Sequence, residues 1–153
     1  MGRFLLLGSL LWLGPVALLA QSREETMNYI VSEFKSLDSK TYTGREIAFS
    51  SSGDSFTFRR NRLGKPEKGT TFQLAKVDVY CVTLHRPRGI DRFRLMVRSR
   101  GKDGIFLANG VNFQGELPLA SYCDNERKMR ALEKAFLRLT TLVTGRKELF
   151  PVF

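Results

Sequence analysis

Arg92, Arg94, Arg98 and Arg100 form the one constellation in this chain whose spacing argues for chemistry. On an extended strand, alternate residues lie about 6.5–7 Å apart on one face. Such a row presents guanidinium forks suited to phosphate, sulfate or carboxylate. Arg59, Arg60 and Arg62, followed by Lys65, sit on what reads as a neighbouring hairpin and would extend the row into a continuous basic patch. The plainer alternative is a solvated face whose arginines pair with Asp78, Glu116 or water.

Catalytic chemistry finds less support. His85 is the only histidine, so neither general acid–base work by a His pair nor a His-rich metal site is available. His85 adjoins a turn, within reach of an acid such as Asp91. Cys81 and His85 share a strand face four residues apart, but about 13 Å along a strand separates them, too far for a hydrogen bond. No Gly-x-Ser-x-Gly elbow occurs. Gly101-Lys102-Asp103-Gly104 lacks the spacing of a phosphate loop and reads as a turn. The carboxylates are scattered, without a paired-acid site or a calcium loop. The chain thus offers no catalytic residue, no metal set and no cofactor motif. It reads as a binding surface more than an enzyme, with a small hydrolase of unrecognised site as the outside alternative.

Charge points the same way. The chain holds 25 Lys and Arg against 15 Asp and Glu, a net charge of +10. In residues 59–102 the basic side chains are opposed only by Glu67, Asp78 and Asp91, so the excess is central. A polyanion-facing surface would use it: anionic lipid, glycan or nucleic acid. A basic exported domain whose charge has no specific partner is the plainer reading.

The compartment is read from the start of the chain. One cation at Arg3, the apolar stretch from Phe4 to Leu13, a Gly14-Pro15 break and small residues up to Ala20 make a secretory signal peptide, residues 1–20, with cleavage expected after Ala20. The run is short of the roughly 20 continuous apolar residues of a membrane span. Residues 21–153 then form a single secreted or periplasmic domain, with no transmembrane span after cleavage. The expected partner is an acidic envelope component or another protein. Cys81 and Cys123 allow one disulfide in an oxidising compartment. Closing that loop would stabilise the fold by roughly 3–4 kcal/mol. Two separate buried thiols are the other reading.

These residues must be positioned by a small set of elements. Ser22-Arg23-Glu24-Glu25 is a capping box opening a helix within residues 21–39, with Met27, Ile30, Val31, Phe34 and Leu37 on one face. From 41 to 114 the period is two: a hairpin over 47–58 turning at 50–54, a long strand over 70–84 broken near Ala75–Lys76, a strand over 91–100 with Phe93, Leu95 and Val97 on one face, and a short one from Ile105. The stretch from 109 to 122 reads as loop, with Pro118 against regular structure. Asp124 or Asn125 then caps a helix over 124–144, where Met129, Leu132, Phe136, Leu139 and Val143 recur on one face, and Gly145 closes it. The tail from Arg146 is expected to dock on the fold.

The fold class is therefore α+β: an antiparallel twisted sheet or partly open barrel of about six or seven strands, with an N-terminal helix and a C-terminal capping helix. The hairpin 47–58, the strands 70–84 and 93–97 and the closing helix 129–143 together resemble the pleckstrin-homology-like fold. Ala131-Leu132, Phe136 and Leu139, then Gly145 and Lys147-Glu148-Leu149-Phe150, also look like small exported bacterial proteins of unknown function. That resemblance implies a fold and a compartment and no activity. A cystatin-like helix on a sheet is the next choice, but leaves the second helix unexplained.

Overall fold

Ser22 opens the first helix as its spacing predicts. Its hydroxyl accepts from the Glu25 N–H at 3.2 Å, and its own N–H donates to the Glu25 carboxylate at 2.6 Å. A cap of this kind is worth about 1 kcal/mol. The computed structural model describes residues 22–37, 45–62, 65–66, 69–100, 105–107, 112–120 and 122–146, the side chains of 45, 60–62, 65–66, 105–107 and 112–113 excepted. The expected signal peptide 1–20, the turn at 101–104 and most of the tail lie outside the described residues. Helix α1, Arg23–Ser36, buries Ile30 and Phe34. Thr26 joins them on the inner side, its hydroxyl returned to the Ser22 carbonyl at 2.9 Å.

The first hairpin follows. β1 (Arg45–Phe49) pairs antiparallel with β2 (Ser55–Arg62), so Phe49 opposes Phe56 and Ile47 opposes Phe58. The turn uses Ser50, whose hydroxyl donates to Asp54 at 2.8 Å. Gly53 is required there: its φ is +70°, and a Cβ would come within 2.8 Å of the Met27 sulfur on α1. β3 (Lys65–Pro66) folds back on the end of β2, and β4 (Thr70–Gln73) pairs with β2 along its other edge. β7 (Ile105–Leu107) and β8 (Asn112–Phe113) complete a sheet ordered β1-β2-β4-β7-β8, with β3 beside β2.

The long segment 70–84 breaks where the sequence predicts. Leu74–Lys76 forms a 3-10 turn, with the Leu74 side chain fully buried as its anchor. Beyond it β5 (Val77–Leu84) enters a second sheet, ordered β5-β6-β9, with β6 (Arg92–Ser99) and β9 (Glu116–Pro118). The sequence predicts one twisted sheet or a partly open barrel of about six or seven strands; the antiparallel strands are observed in two sheets. Nine described strands divide between two antiparallel sheets, and no described strand pairing closes them into a barrel. The structure corrects the reading of 109–122 as loop, since β8 and β9 lie within it. Pro118 is tolerated because β9 is an edge strand. The Leu119 N–H points at β6, bonding the Leu95 carbonyl at 2.9 Å, so by alternation the Pro118 nitrogen faces the open side.

Helix α2, Glu126–Thr144, is capped by the Asn125 side chain, which accepts from the Lys128 N–H, and ends at Gly145 in the left-handed conformation. Met129, Leu132, Phe136 and Leu139 are buried as expected, whereas Leu142 stays 43% exposed. Phe136 lies between the two helices and the larger sheet: its ring centroid is 5.1 Å from Phe56, 6.2 Å from Phe49 and 6.4 Å, edge on, from Phe34. The same core takes in Leu95 and Val97 from β6. Lys128 ties α2 to α1, pairing with Glu33 at 3.2 Å and donating to the Ser36 hydroxyl. Together these show an α+β fold of two helices against two antiparallel sheets.

Candidate functional site on the open sheet face

Alternation on β6 sends Phe93, Leu95 and Val97 into the core, where α2 packs. The opposite face therefore carries Arg92, Arg94, Met96 and Arg98. The register sets Leu84, Val82, Tyr80 and Asp78 of β5 beside them, and Pro118 and Glu116 of β9 on the other side. Arg100 follows the strand and turns back to Asp78. The ladder read from the sequence thus shares one face.

Its charges are largely met from within. Arg100 donates to Asp78 from Nε at 2.9 Å and from Nη2 at 2.5 Å. Arg98 lies between Asp78 at 3.8 Å and Glu116 at 3.9 Å, and Arg92 lies 3.4 Å from Asp124. These side chains are between 30% and 61% exposed, so each pair contributes little to stability. Their consequence is electrostatic: three of the four arginines face a carboxylate of the same surface.

Arg94 differs. Among the described residues it has no carboxylate partner; its guanidinium carbon lies 3.9 Å above the centroid of the Tyr122 ring. Its Nε is buried and meets no acceptor among the described residues. Stacking on an aromatic face leaves the in-plane N–H donors of a guanidinium free for a planar anion. A buried donor without an acceptor costs about 1–3 kcal/mol. Arg98 sits more loosely over Tyr80, at 5.1 Å. The Tyr80 phenol is pushed up to about 12 by burial first, then by its hydrogen bond to Glu116 and that carboxylate's charge. It stays a hydroxyl donor at any physiological pH.

Sequence reasoning missed Tyr80 and Tyr122. Tyr80 was within reach, since it shares strand parity with Asp78. Tyr122 was not, because it reaches the face only through the backbone pairing of Cys123 with Phe93.

The other expected site residues are placed elsewhere. Arg59 is exposed on β2, opposite Glu46 in the larger sheet, and Arg60 and Arg62 occupy the same strand with side chains outside the description. β2 belongs to the other sheet, so these positions and the ladder lie on different sheets. His85 does meet Asp91, at 2.9 Å, with the Arg86 N–H on the same carboxylate at 3.3 Å. The pair pins a turn, and His85 is 81% exposed.

Cys81 and Cys123 are both free thiols. Cys81 opposes Leu95 on one side of β6, while Cys123 bridges Phe93 on the other. Two strand spacings, about 10 Å, lie between their strands, against the ~4.4–6.8 Å between Cα atoms that a disulfide needs. The disulfide allowed by the sequence is therefore not formed in this structure. Burial pushes the Cys81 thiol up to about 11, against a smaller pull down from Arg130, so it is no nucleophile at neutral pH. Its backbone has another role. The Cys81 N–H donates to Glu133 at 2.9 Å, and Arg130 donates to the Cys81 carbonyl at 3.5 Å. Two α2 side chains thereby occupy the open edge of β5, where an uncovered strand invites pairing with another chain.

Among the described residues no three His, Cys, Asp or Glu side chains gather as a metal set. Compared with protein-family models, curated proteins and solved structures, the chain matches none.

Proposed function

We propose that this chain is an exported, non-catalytic binding or scaffold domain that meets its partner on the outward face of the β5-β6-β9 sheet. The observation that carries the reading is Arg94: stacked on Tyr122, with a buried Nε and no carboxylate among the described residues. A partner carboxylate meets the free edge of that guanidinium, and Val82, Met96 and Pro118 supply apolar contact around it. Arginine and tyrosine are the residue types that anchor protein interfaces. The partner class is an acidic protein or another acidic envelope component. The secreted or periplasmic setting rests on residues 1–20 of the sequence. A pleckstrin-homology-like architecture is part of the same reading, supported by the order of a hairpin, further antiparallel strands and a closing amphipathic helix.

A broad polyanion binder is the second reading, motivated by the net charge of +10. It draws less support because Asp78, Glu116 and Asp124 already face three of the four ladder arginines.

The test is a titration of isotope-labelled protein with a Glu-rich peptide, followed by NMR. The proposal expects the Arg94 Nε–H and the amides of Val82, Met96 and Tyr122 to shift together and saturably. Shifts confined to Arg59 and its neighbours, or spread over every arginine without saturation, would contradict it.

A further inference from the structure

We propose a second interaction surface, at the tip of the β5–β6 hairpin, that docks on an anionic lipid surface. Among the described residues three large hydrophobic side chains are exposed, and two of them, Leu84 at 40% and Ile90 at 71%, flank this tip. Arg86 and Arg88 stand between them, both exposed. The tip is a defined shape: the Gly89 N–H returns to the Arg86 carbonyl at 3.3 Å, and Asp91 clips His85 and the Arg86 N–H.

The nearby carboxylates are occupied. Asp91 holds His85, Asp124 faces Arg92, and Glu126 faces Arg130. None of the ion pairs among the described residues uses Arg86 or Arg88. The tip therefore presents two cations outside the ion pairs of the described residues, beside two exposed aliphatic side chains. Two guanidinium groups beside two exposed aliphatic side chains match an anionic lipid interface, which offers phosphates and an acyl boundary together. The aliphatic side chains enter the acyl boundary while the guanidinium groups stay among the phosphates. Each arginine near an anionic leaflet strengthens binding about fivefold. No described helix is long and apolar enough to cross a membrane. This surface uses residues separate from Arg94 and Tyr122, and stands or falls apart from them.

The test places an indole at the tip of the full chain, as Ile90→Trp with Trp12→Phe, so that position 90 alone reports whether or not residues 1–20 are retained. Vesicles of phosphatidylglycerol and phosphatidylcholine should shift its emission to the blue and make it quenchable by brominated lipid. Pure phosphatidylcholine vesicles should have little effect. Arg86→Glu with Arg88→Glu in that background should weaken the response at least about 25-fold, with an unchanged circular dichroism spectrum. Emission indifferent to anionic vesicles, or equally shifted by neutral ones, overturns the proposal. A response to soluble heparin without one to vesicles overturns it too, and assigns the tip to a soluble polyanion.

Discussion

The Arg94 guanidinium lies 3.9 Å above the Tyr122 ring, while its β6 neighbours Arg92 and Arg98 face carboxylates. The stack sets one member of a repetitive ladder apart from the others. Its three companions resemble ordinary surface ion pairs, which salt screens and water competes with. Arg94 is held by a ring, so its donors are oriented before any ligand arrives, and ordering them costs a partner less.

Thiol reactivity tests the placement of the two cysteines. Cys123 is partly exposed and Cys81 is buried with a thiol raised to about 11. At pH 8 one thiol per native chain should react with a disulfide reagent, and two after unfolding in denaturant. No reactive thiol in either state, without added reductant, would mean that the two had paired.

Alkaline pH should destabilise the fold. The Cys81 thiol moves from 9.0 to about 11 and the Tyr80 phenol from 10.0 to about 12. The folded chain thus holds both protons more tightly than the unfolded one. The stabilisation is complete below about pH 9 and is lost as pH rises toward about 12. Urea midpoints should fall steadily from pH 8.5 to 11.5, and Tyr80→Phe should flatten the upper part of that fall. A midpoint that stays level across this range would refute both shifts.

The core makes a sharper energetic prediction. Phe136 is buried against Phe34, Phe49 and Phe56, so Phe136→Ala should cost about 3–5 kcal/mol. Leu142, on the same helix and 43% exposed, should cost well under that on replacement by alanine. Denaturant unfolding of the two variants checks the contrast, which similar losses would contradict.

Glu133 guards the open edge of β5. Glu133→Ala leaves the Cys81 N–H without its acceptor and should cost about 1–3 kcal/mol. It should also raise aggregation, since an uncovered strand edge pairs with other chains. Glu133→Gln keeps an acceptor oxygen and should lose less. Hydrogen exchange at the Cys81 amide reads the bond directly: fast exchange in the alanine variant and slow exchange in the parent.

Local chemistry explains which parts were legible in the sequence. The Ser22–Glu25 box, the Asn125 cap and Gly145 act within one turn of chain, and both helices follow from them. β6 was equally plain, because Phe93, Leu95 and Val97 fill its inner face and its outer face is nearly all arginine. The division into two sheets was not, since it depends on a three-residue turn at Leu74–Lys76 whose anchor gains meaning only from the core around it. β8 and β9, of two and three residues, are too short to show a period. At the site, the arginine row was visible but its neutralisation was not. Asp78 was foreseen as a partner, whereas Asp124 and Tyr122 come from an irregular stretch that only tertiary pairing brings to the face.

A charge-matched comparison tests the central claim most directly. Arg94→Glu and Arg59→Glu change the net charge equally, one at the Tyr122 stack and the other on the larger sheet. Binding of a Glu-rich peptide by each variant should show a loss of at least about tenfold for Arg94→Glu, as for other interface anchors, and little change for Arg59→Glu. Equal losses would mean that charge alone governs binding, and would contradict a defined site at Arg94.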